Sequence, residues 1–157
     1  MTKKITIAID AMGGEKAPKK NIEGLNIFLN KNKSNNDFII HLYGDKKILD
    51  KELSKLNISN NIVKVIHAES VVSDEESPLT AIKNSKNTSM WNSINAQVNG
   101  EADISLSAGN TGVLFVISKM ILKMMNKVSK PALAGLWPSK KGMSVVLDLG
   151  ANIECDE

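Results

Sequence analysis

The chain turns at Ser107-Ala108-Gly109-Asn110-Thr111-Gly112, between one apolar run that ends at Leu106 and another that begins at Val113. This order predicts a strand, a tight glycine loop and the first turn of a buried helix. Such a junction directs backbone N–H groups and the positive end of the helix dipole to one place beyond the strand. The stretch therefore predicts a site for phosphate or another anion, although the same glycines would equally serve a tight turn that binds nothing.

Two more loops follow apolar strands in the same way. Asp10–Gly14 comes after the run Ile5–Ile9, and Asp148–Asn152 lies at the end of the run that begins at Met143. Ligands bind at the carboxyl ends of the strands in open α/β sheets. We therefore expect the three loops to share one pocket.

Strands and helices alternate along the sequence. The predicted strands are Ile5–Ile9, Phe38–Tyr43, Ile62–Ile66, Ala102–Leu106, Ala132–Trp137 and Met143–Leu149. The predicted helices are one after Pro18, then Ile48–Leu56, Pro78–Gly100 with a break near Thr88, and Val113–Met125. This order predicts an open, mostly parallel α/β sheet with helices on both faces. A loop such as Asp148–Asn152 normally leads into a helix, so we expect a C-terminally truncated domain.

Composition and charge argue against several classes of protein. The hydrophobic fraction of 42% is enough for the core of one globular domain. A net charge of +3 does not predict a nucleic-acid partner. The single cysteine, Cys155, forms no internal disulfide, and the apolar stretch Val113–Met125 is too short to cross a membrane. These observations favour a cytoplasmic domain.

The sequence is poor in covalent catalysts. It contains no P-loop, no dinucleotide-binding fingerprint and no nucleophile elbow. His41 and His67 fall in or at the end of strands, where a histidine is more often structural than catalytic. The consecutive acids Asp74-Glu75-Glu76 cannot all face one ion without an unusual turn, so no metal is predicted. The loops are rich in amides and hydroxyls, which suits phosphate attacking a carbonyl.

Four segments of the sequence, in order, carry a resemblance to a known family. They are Ile7–Gly14 with Ala17-Pro18, then Ser107–Gly112, then Pro131–Ala134, then Leu147–Asn152. Together they resemble the bacterial fatty acyl-acyl carrier protein:phosphate acyltransferase family (PlsX), and the similarity runs through essentially the whole chain. The resemblance implies that residues 1–157 are the N-terminal half of a single α/β domain. It also implies a three-layer α/β/α fold like those of isopropylmalate dehydrogenases and phosphotransacetylases.

The resemblance further implies an activity and a set of partners. The enzyme would move a fatty acyl group from acyl carrier protein to inorganic phosphate, giving acyl phosphate for phospholipid synthesis. It would need no metal and no other cofactor. The implied assembly is a homodimer of the full-length protein, in the cytoplasm or peripherally associated with the inner face of the membrane.

The predicted site has two groups of residues. Those expected to take part in catalysis are Asn110, Thr111 and Lys16. Those expected to bind substrate are Asp10, Gly13, Gly14, Ser107, Gly109, Gly112, Lys83, Lys130, Asp148 and Asn152.

The chain departs from the family's pattern in three places. Glu15-Lys16 stands where Asp and His are common, so any role of that histidine is either absent or taken over by Lys16. Lys130 stands where the family favours Arg, which keeps the charge but loses a bidentate fork. The helix that carries Lys83 is less rich in arginine than in the family.

Two other interpretations share the phosphate chemistry. One is a phosphate acyltransferase that uses small acyl-coenzyme A thioesters. The other is a phosphate-binding fragment without catalytic activity, in which the Ser107–Gly112 loop is intact and the rest of the cleft is missing.

Overall fold

A computed structural model describes residues 4–33, 37–56, 58, 61–73, 75, 77–147 and 149, without the side chains of Leu79, Ala81 and Ile82. Asp148, Asn152 and Cys155 lie outside the described residues. The chain forms two units, Met1–Leu122 and Lys123–Glu157. Each unit is described by itself.

The first unit alternates strands with helices, as the sequence predicts. Its strands are β1 (Ile5–Asp10), β2 (Phe38–Gly44), β3 (Val63–His67) and β4 (Ile104–Ser107). Its helices are α1 (Lys19–Lys31), α2 (Lys46–Lys55), α3 (Pro78–Asn84), α4 (Ser89–Val98) and α5 (Thr111–Leu122). The expected break in the long helical stretch is confirmed, because Thr88 caps α4 by accepting a hydrogen bond from the Trp91 N–H at 3.2 Å.

The four strands form one parallel sheet in the order β3-β2-β1-β4. The central strand β1 pairs with β2 on one side and with β4 on the other. At its carboxyl end Asp10 stands opposite Tyr43 of β2 and opposite Ser107 of β4. This register brings the loops after β1 and β4 to the same edge of the sheet, where parallel α/β proteins bind ligands.

Helices cover both faces of the sheet. On one face the side chains of α1 and α2 pack on Phe38, Ile40 and Leu42 of β2. On the other face α4 contributes Ala96, which packs with Ala8 and Tyr43. The alternation of side chains along each strand therefore supplies two apolar layers, and the first unit has the predicted three-layer α/β/α architecture.

The second unit contains its own pair of strands. Strands β5 (Ala134–Ser139) and β6 (Gly142–Leu147) pair with each other in antiparallel fashion as a two-stranded sheet. Only Lys140 and Lys141 connect them, and a parallel partner would need a crossover connection of about a dozen residues or more. The sequence predicts a mostly parallel sheet, and the short connection explains why these two strands pair in antiparallel fashion instead.

Tyr43 gives a spectroscopic test of the packing between the sheet and α4. The side chain is only 3% exposed and, among the described residues, its hydroxyl has no hydrogen-bond partner. Burial, with a smaller contribution from the charge of Glu101, raises the pKa of Tyr43 from 10.0 to about 12. A folded-state pKa above the unfolded value means that this stability is present below pH 10.0 and is lost as the pH rises through about 12.

We expect the absorbance of the Tyr43 phenolate to appear with a midpoint near pH 12 in the folded chain and near 10.0 in denaturant. Tyr43 is the only tyrosine of the sequence, so the phenolate absorbance reports this group alone. Glu101→Gln removes the smaller cause and is expected to lower the native midpoint while leaving the denatured one unchanged. A native midpoint near 10.0 would show that the phenol is solvated.

Candidate functional site

Asp10 occupies the carboxyl end of the central strand and is 1% exposed. Its Oδ1 accepts hydrogen bonds from the backbone N–H of Met12, at 3.2 Å, and of Gly13, at 3.1 Å. Its Oδ2 accepts a hydrogen bond from the Ser107 hydroxyl at 2.7 Å. Both carboxylate oxygens are therefore used inside the protein, which satisfies the requirement that a buried charge be hydrogen-bonded.

The loop after β4 touches the loop after β1. The Ser107 hydroxyl oxygen accepts a hydrogen bond from the Gly109 N–H at 3.1 Å while it donates to Asp10. A Cβ on Gly109 would stand 3.3 Å from the Cα of Gly13 and 2.9 Å from the Cε of Met90. The structure therefore brings the first two predicted loops together, and the absence of a side chain at Gly109 permits the close approach.

Gly14 fits its position for two reasons. Its φ is +94°, a conformation that other residues rarely adopt. A Cβ there would also stand 2.5 Å from the carbonyl oxygen of Ala108. Gly14 thus makes a second close contact between the two loops.

Asn21, on α1, braces the first loop from behind. Its side-chain amide donates hydrogen bonds of 2.9 Å to the carbonyl oxygens of Ala11 and Gly13. The C=O and N–H of a trans peptide point in opposite directions, so the bond to the Gly13 carbonyl turns the Gly14 N–H away from Asn21. No acceptor for the Gly14 N–H lies among the described residues.

Backbone N–H groups lie at the start of α5, next to the Asn110 side chain. The Asn110 side-chain oxygen accepts a hydrogen bond from the Val113 N–H at 3.1 Å and so caps the helix. In the part of the chain that the structure describes, the backbone N–H groups of Thr111 and Gly112 have no acceptor. These amides lie at the positive end of the helix dipole, where an anion is stabilised.

The lysines named from the sequence lie in different parts of the chain. Lys16 follows the first loop, is exposed and has a φ of 62°. Lys83 is exposed in the last turn of α3, and no described hydrogen bond or ion pair joins it to either loop. Lys130 belongs to the second unit, so its role in this site stays a prediction. Asp148 and Asn152, outside the described residues, stay predictions as well.

A cavity of about 340 Å³ lies at the opposite, amino-terminal edge of the sheet, beside Leu29, Phe38 and Ile62. It is remote from the glycine loops, and apolar side chains make up much of its lining. The geometry of the loops is the better guide to a ligand, because the carboxyl edge of a parallel sheet is where ligands bind.

Two other kinds of site are absent from the described residues. No three side chains of His, Cys, Asp or Glu there are grouped so as to hold a metal ion. None of the helices there combines the length and the apolar character that crossing a membrane requires.

Comparison with known proteins places the chain in a family. Residues 5–157 match the family described as "Fatty acid synthesis protein". The chain belongs to this family.

Relatives within the family carry the name phosphate acyltransferase. The one from Pelagibacter ubique is 49% identical over 155 residues, which are 99% of this chain and 45% of that protein. Those from Bradyrhizobium diazoefficiens and Parvibaculum lavamentivorans are 40% and 41% identical over 157 residues, covering 99% of this chain and 44% and 43% of theirs. The chain thus spans a little under half the length of these relatives.

Sequence reasoning missed Asn21. It lies one position before the buried Ile22, on a helix whose apolar spacing drew attention to the core instead. Asn21 is the third residue of α1, and asparagine side chains near a helix start often hydrogen-bond to nearby backbone groups. This tendency is the one feature of the sequence that pointed to a hydrogen-bonding role for Asn21.

Proposed function

We propose that this chain supplies the phosphate-binding part of a phosphate acyltransferase that moves a fatty acyl group from acyl carrier protein to inorganic phosphate. One observation carries the proposal: two glycine loops are held together at the carboxyl edge of the sheet, and the second leads into α5. The Thr111 and Gly112 N–H groups at the start of that helix have no acceptor among the described residues. The names of the relatives support the choice of reaction.

In the proposed reaction, phosphate lies against the start of α5. Backbone N–H groups of Thr111, Gly112 and Gly14 donate to its oxygens, and the helix dipole favours its charge. Binding fixes the orientation of one remaining phosphate oxygen toward the acyl carbonyl, which lowers the entropic cost of attack.

That phosphate oxygen forms a bond to the carbonyl carbon of the thioester. The carbonyl oxygen becomes an oxyanion, which Asn110 and Thr111 stabilise as hydrogen-bond donors. The C–S bond then breaks, the thiolate leaves and takes up a proton from solvent, and acyl phosphate remains. Phosphate is the nucleophile, so no cysteine or serine of the protein is acylated.

The assembly and location are part of the same proposal. Acyl carrier protein is the acyl donor, the full-length protein is a homodimer, and acyl phosphate passes to phospholipid synthesis. The protein works in the cytoplasm and reaches the inner face of the membrane as a peripheral protein.

The proposal is tested with a full-length protein that carries this chain. Acyl phosphate formed from acyl carrier protein thioester and phosphate is trapped with hydroxylamine as the hydroxamate. Activity with small acyl-coenzyme A thioesters, and none with acyl carrier protein, would instead support the related small-acyl enzyme. The 157-residue chain, assayed beside it, is expected to bind phosphate without turnover, and turnover by the short chain would contradict the incomplete cleft.

Substitutions of Lys16 separate the effect of its charge on phosphate binding from the effect of its backbone conformation on stability. Its φ of 62° is a strained value for lysine, and asparagine tolerates such values better. We expect Lys16→Asn to leave the stability unchanged or slightly higher while weakening phosphate binding by about fivefold, the effect of losing one exposed cation. Lys16→Arg keeps the charge and serves as the control. Equal phosphate affinity in Lys16→Asn and the parent would remove Lys16 from the site.

A further inference from the structure

Asp10 and Ser107 form one hydrogen-bond relay that joins the two loops beneath the start of α5. The carboxylate accepts from the Ser107 hydroxyl at 2.7 Å, and the same hydroxyl oxygen accepts from the Gly109 N–H at 3.1 Å. Asp10 and Ser107 are 97 positions apart in the sequence. The relay ends at Gly109, three residues before Gly112, the second residue of α5. It connects the end of β1 to the loop that leads into α5.

Neither side chain is suited to bind phosphate. The buried Asp10 carboxylate is an anion with both oxygens occupied, so it would repel a phosphate rather than hold one. Ser107 gives its only proton to Asp10, so its hydroxyl has no donor left for an anion.

We propose that Asp10 and Ser107 are positioning residues: they fix the loop 107–110, and with it the direction of the N-terminal amides of α5, without touching the ligand. The ordering of the loop does not depend on the proposed function. Only the purpose of that ordering, which is to direct the amides toward phosphate, rests on it. It changes the role expected of both residues from substrate binding to orientation.

The chemistry of the relay predicts the effect of each substitution. In Asp10→Asn the new NH₂ donates to the Ser107 oxygen, which leaves the serine proton without its acceptor. In Ser107→Ala the Asp10 oxygen and the Gly109 N–H each lose a partner. Each change breaks the same relay. The double variant should therefore bind phosphate no more weakly than the more impaired of the two single variants.

Two variants serve as controls. Ser107→Thr keeps the hydroxyl and should retain the relay. Asp103→Asn alters another carboxylate that ties the same two strands, since Asp103 accepts from the Thr6 N–H at 2.9 Å at their other end. The amide oxygen can still accept from Thr6, so this variant reports what the loss of a carboxylate charge between the two strands does without affecting the relay.

The experiment uses the 157-residue chain and two measurements. Calorimetry with inorganic phosphate gives the affinity, and NMR hydrogen exchange without phosphate gives the protection of the Gly109 N–H. We expect Asp10→Asn and Ser107→Ala each to weaken phosphate binding about tenfold, the equivalent of one lost hydrogen bond, and to speed Gly109 exchange by a similar factor. Ser107→Thr and Asp103→Asn should leave both measurements near the parent values.

Folded Asp10→Asn and Ser107→Ala variants with parental Gly109 exchange and parental phosphate affinity would overturn the inference. Losses that add in the double variant would also overturn it, because they would mean two separate roles. If the parent chain binds no phosphate, the proposed function fails, and the exchange of Gly109 in the variants still decides whether the relay orders the loop.

Discussion

Gly14→Ala is expected to lower the free energy of unfolding of the Met1–Leu122 unit by about 3 kcal/mol. The φ of +94° accounts for part of this cost, because an alanine side chain disfavours it. The rest comes from the new Cβ, which would stand 2.5 Å from the backbone oxygen of Ala108. Backbone cannot rotate out of the way as a flexible side chain does, so the two loops must separate.

Two other glycines of the same unit separate these causes. Gly100 has a φ of +72° and nothing within 4 Å of a new Cβ, so Gly100→Ala should cost only the conformational part, about 1 kcal/mol. Gly24 lies inside α1 with open space around it, and Gly24→Ala should raise stability by about 0.5–1 kcal/mol.

Urea unfolding followed by far-UV circular dichroism measures all three variants. Every described helix lies in the Met1–Leu122 unit, so the helical signal reports that unit. The Gly14 variant should also lose phosphate binding, whereas the other two should keep it. Equal costs for Gly14→Ala and Gly100→Ala would mean that the loops are not in the close contact described above.

Asn110→Asp is expected to keep the helix and to slow acyl phosphate formation strongly. Aspartate caps a helix as well as asparagine does, and its charge is favourable at the start of α5, so stability should be unchanged or higher. The same substitution replaces an amide donor by an anion next to the proposed phosphate. In the full-length protein we expect acyl phosphate formation to fall by a factor of about 10² to 10³, the range seen when one oxyanion donor is removed.

Asn110→Ala and Asn110→Ser complete the test. Alanine loses the cap that now accepts from Val113, at a cost of about 1 kcal/mol, and also loses the donor. Serine keeps a cap and a hydroxyl donor, so it should be the most active of the three variants. Activity is measured by hydroxamate trapping and stability by thermal unfolding. Wild-type rates in Asn110→Asp would remove Asn110 from the mechanism.

The pattern of residues was enough to predict the elements of the first unit and the type of its sheet. Apolar runs such as Ile5–Ile9 indicate strands buried on both faces, and Pro78 and Thr88 mark helix starts, because these features depend on local sequence. The motif Ser107–Gly112 likewise predicts a strand, a turn and a helix start. The resemblance across four segments indicated the family, which the comparison confirms.

Tertiary structure alone decided how the loops are held. Asp10 and Ser107 are 97 positions apart, and only the pairing of β1 with β4 puts them opposite each other. The brace from Asn21 likewise depends on how α1 packs behind the first loop. The sequence by itself therefore determined a glycine loop between a strand and a helix start, because backbone propensities act locally. Burial and hydrogen bonding between distant segments decided which side chains orient that loop. Those interactions exist only once the sheet has formed.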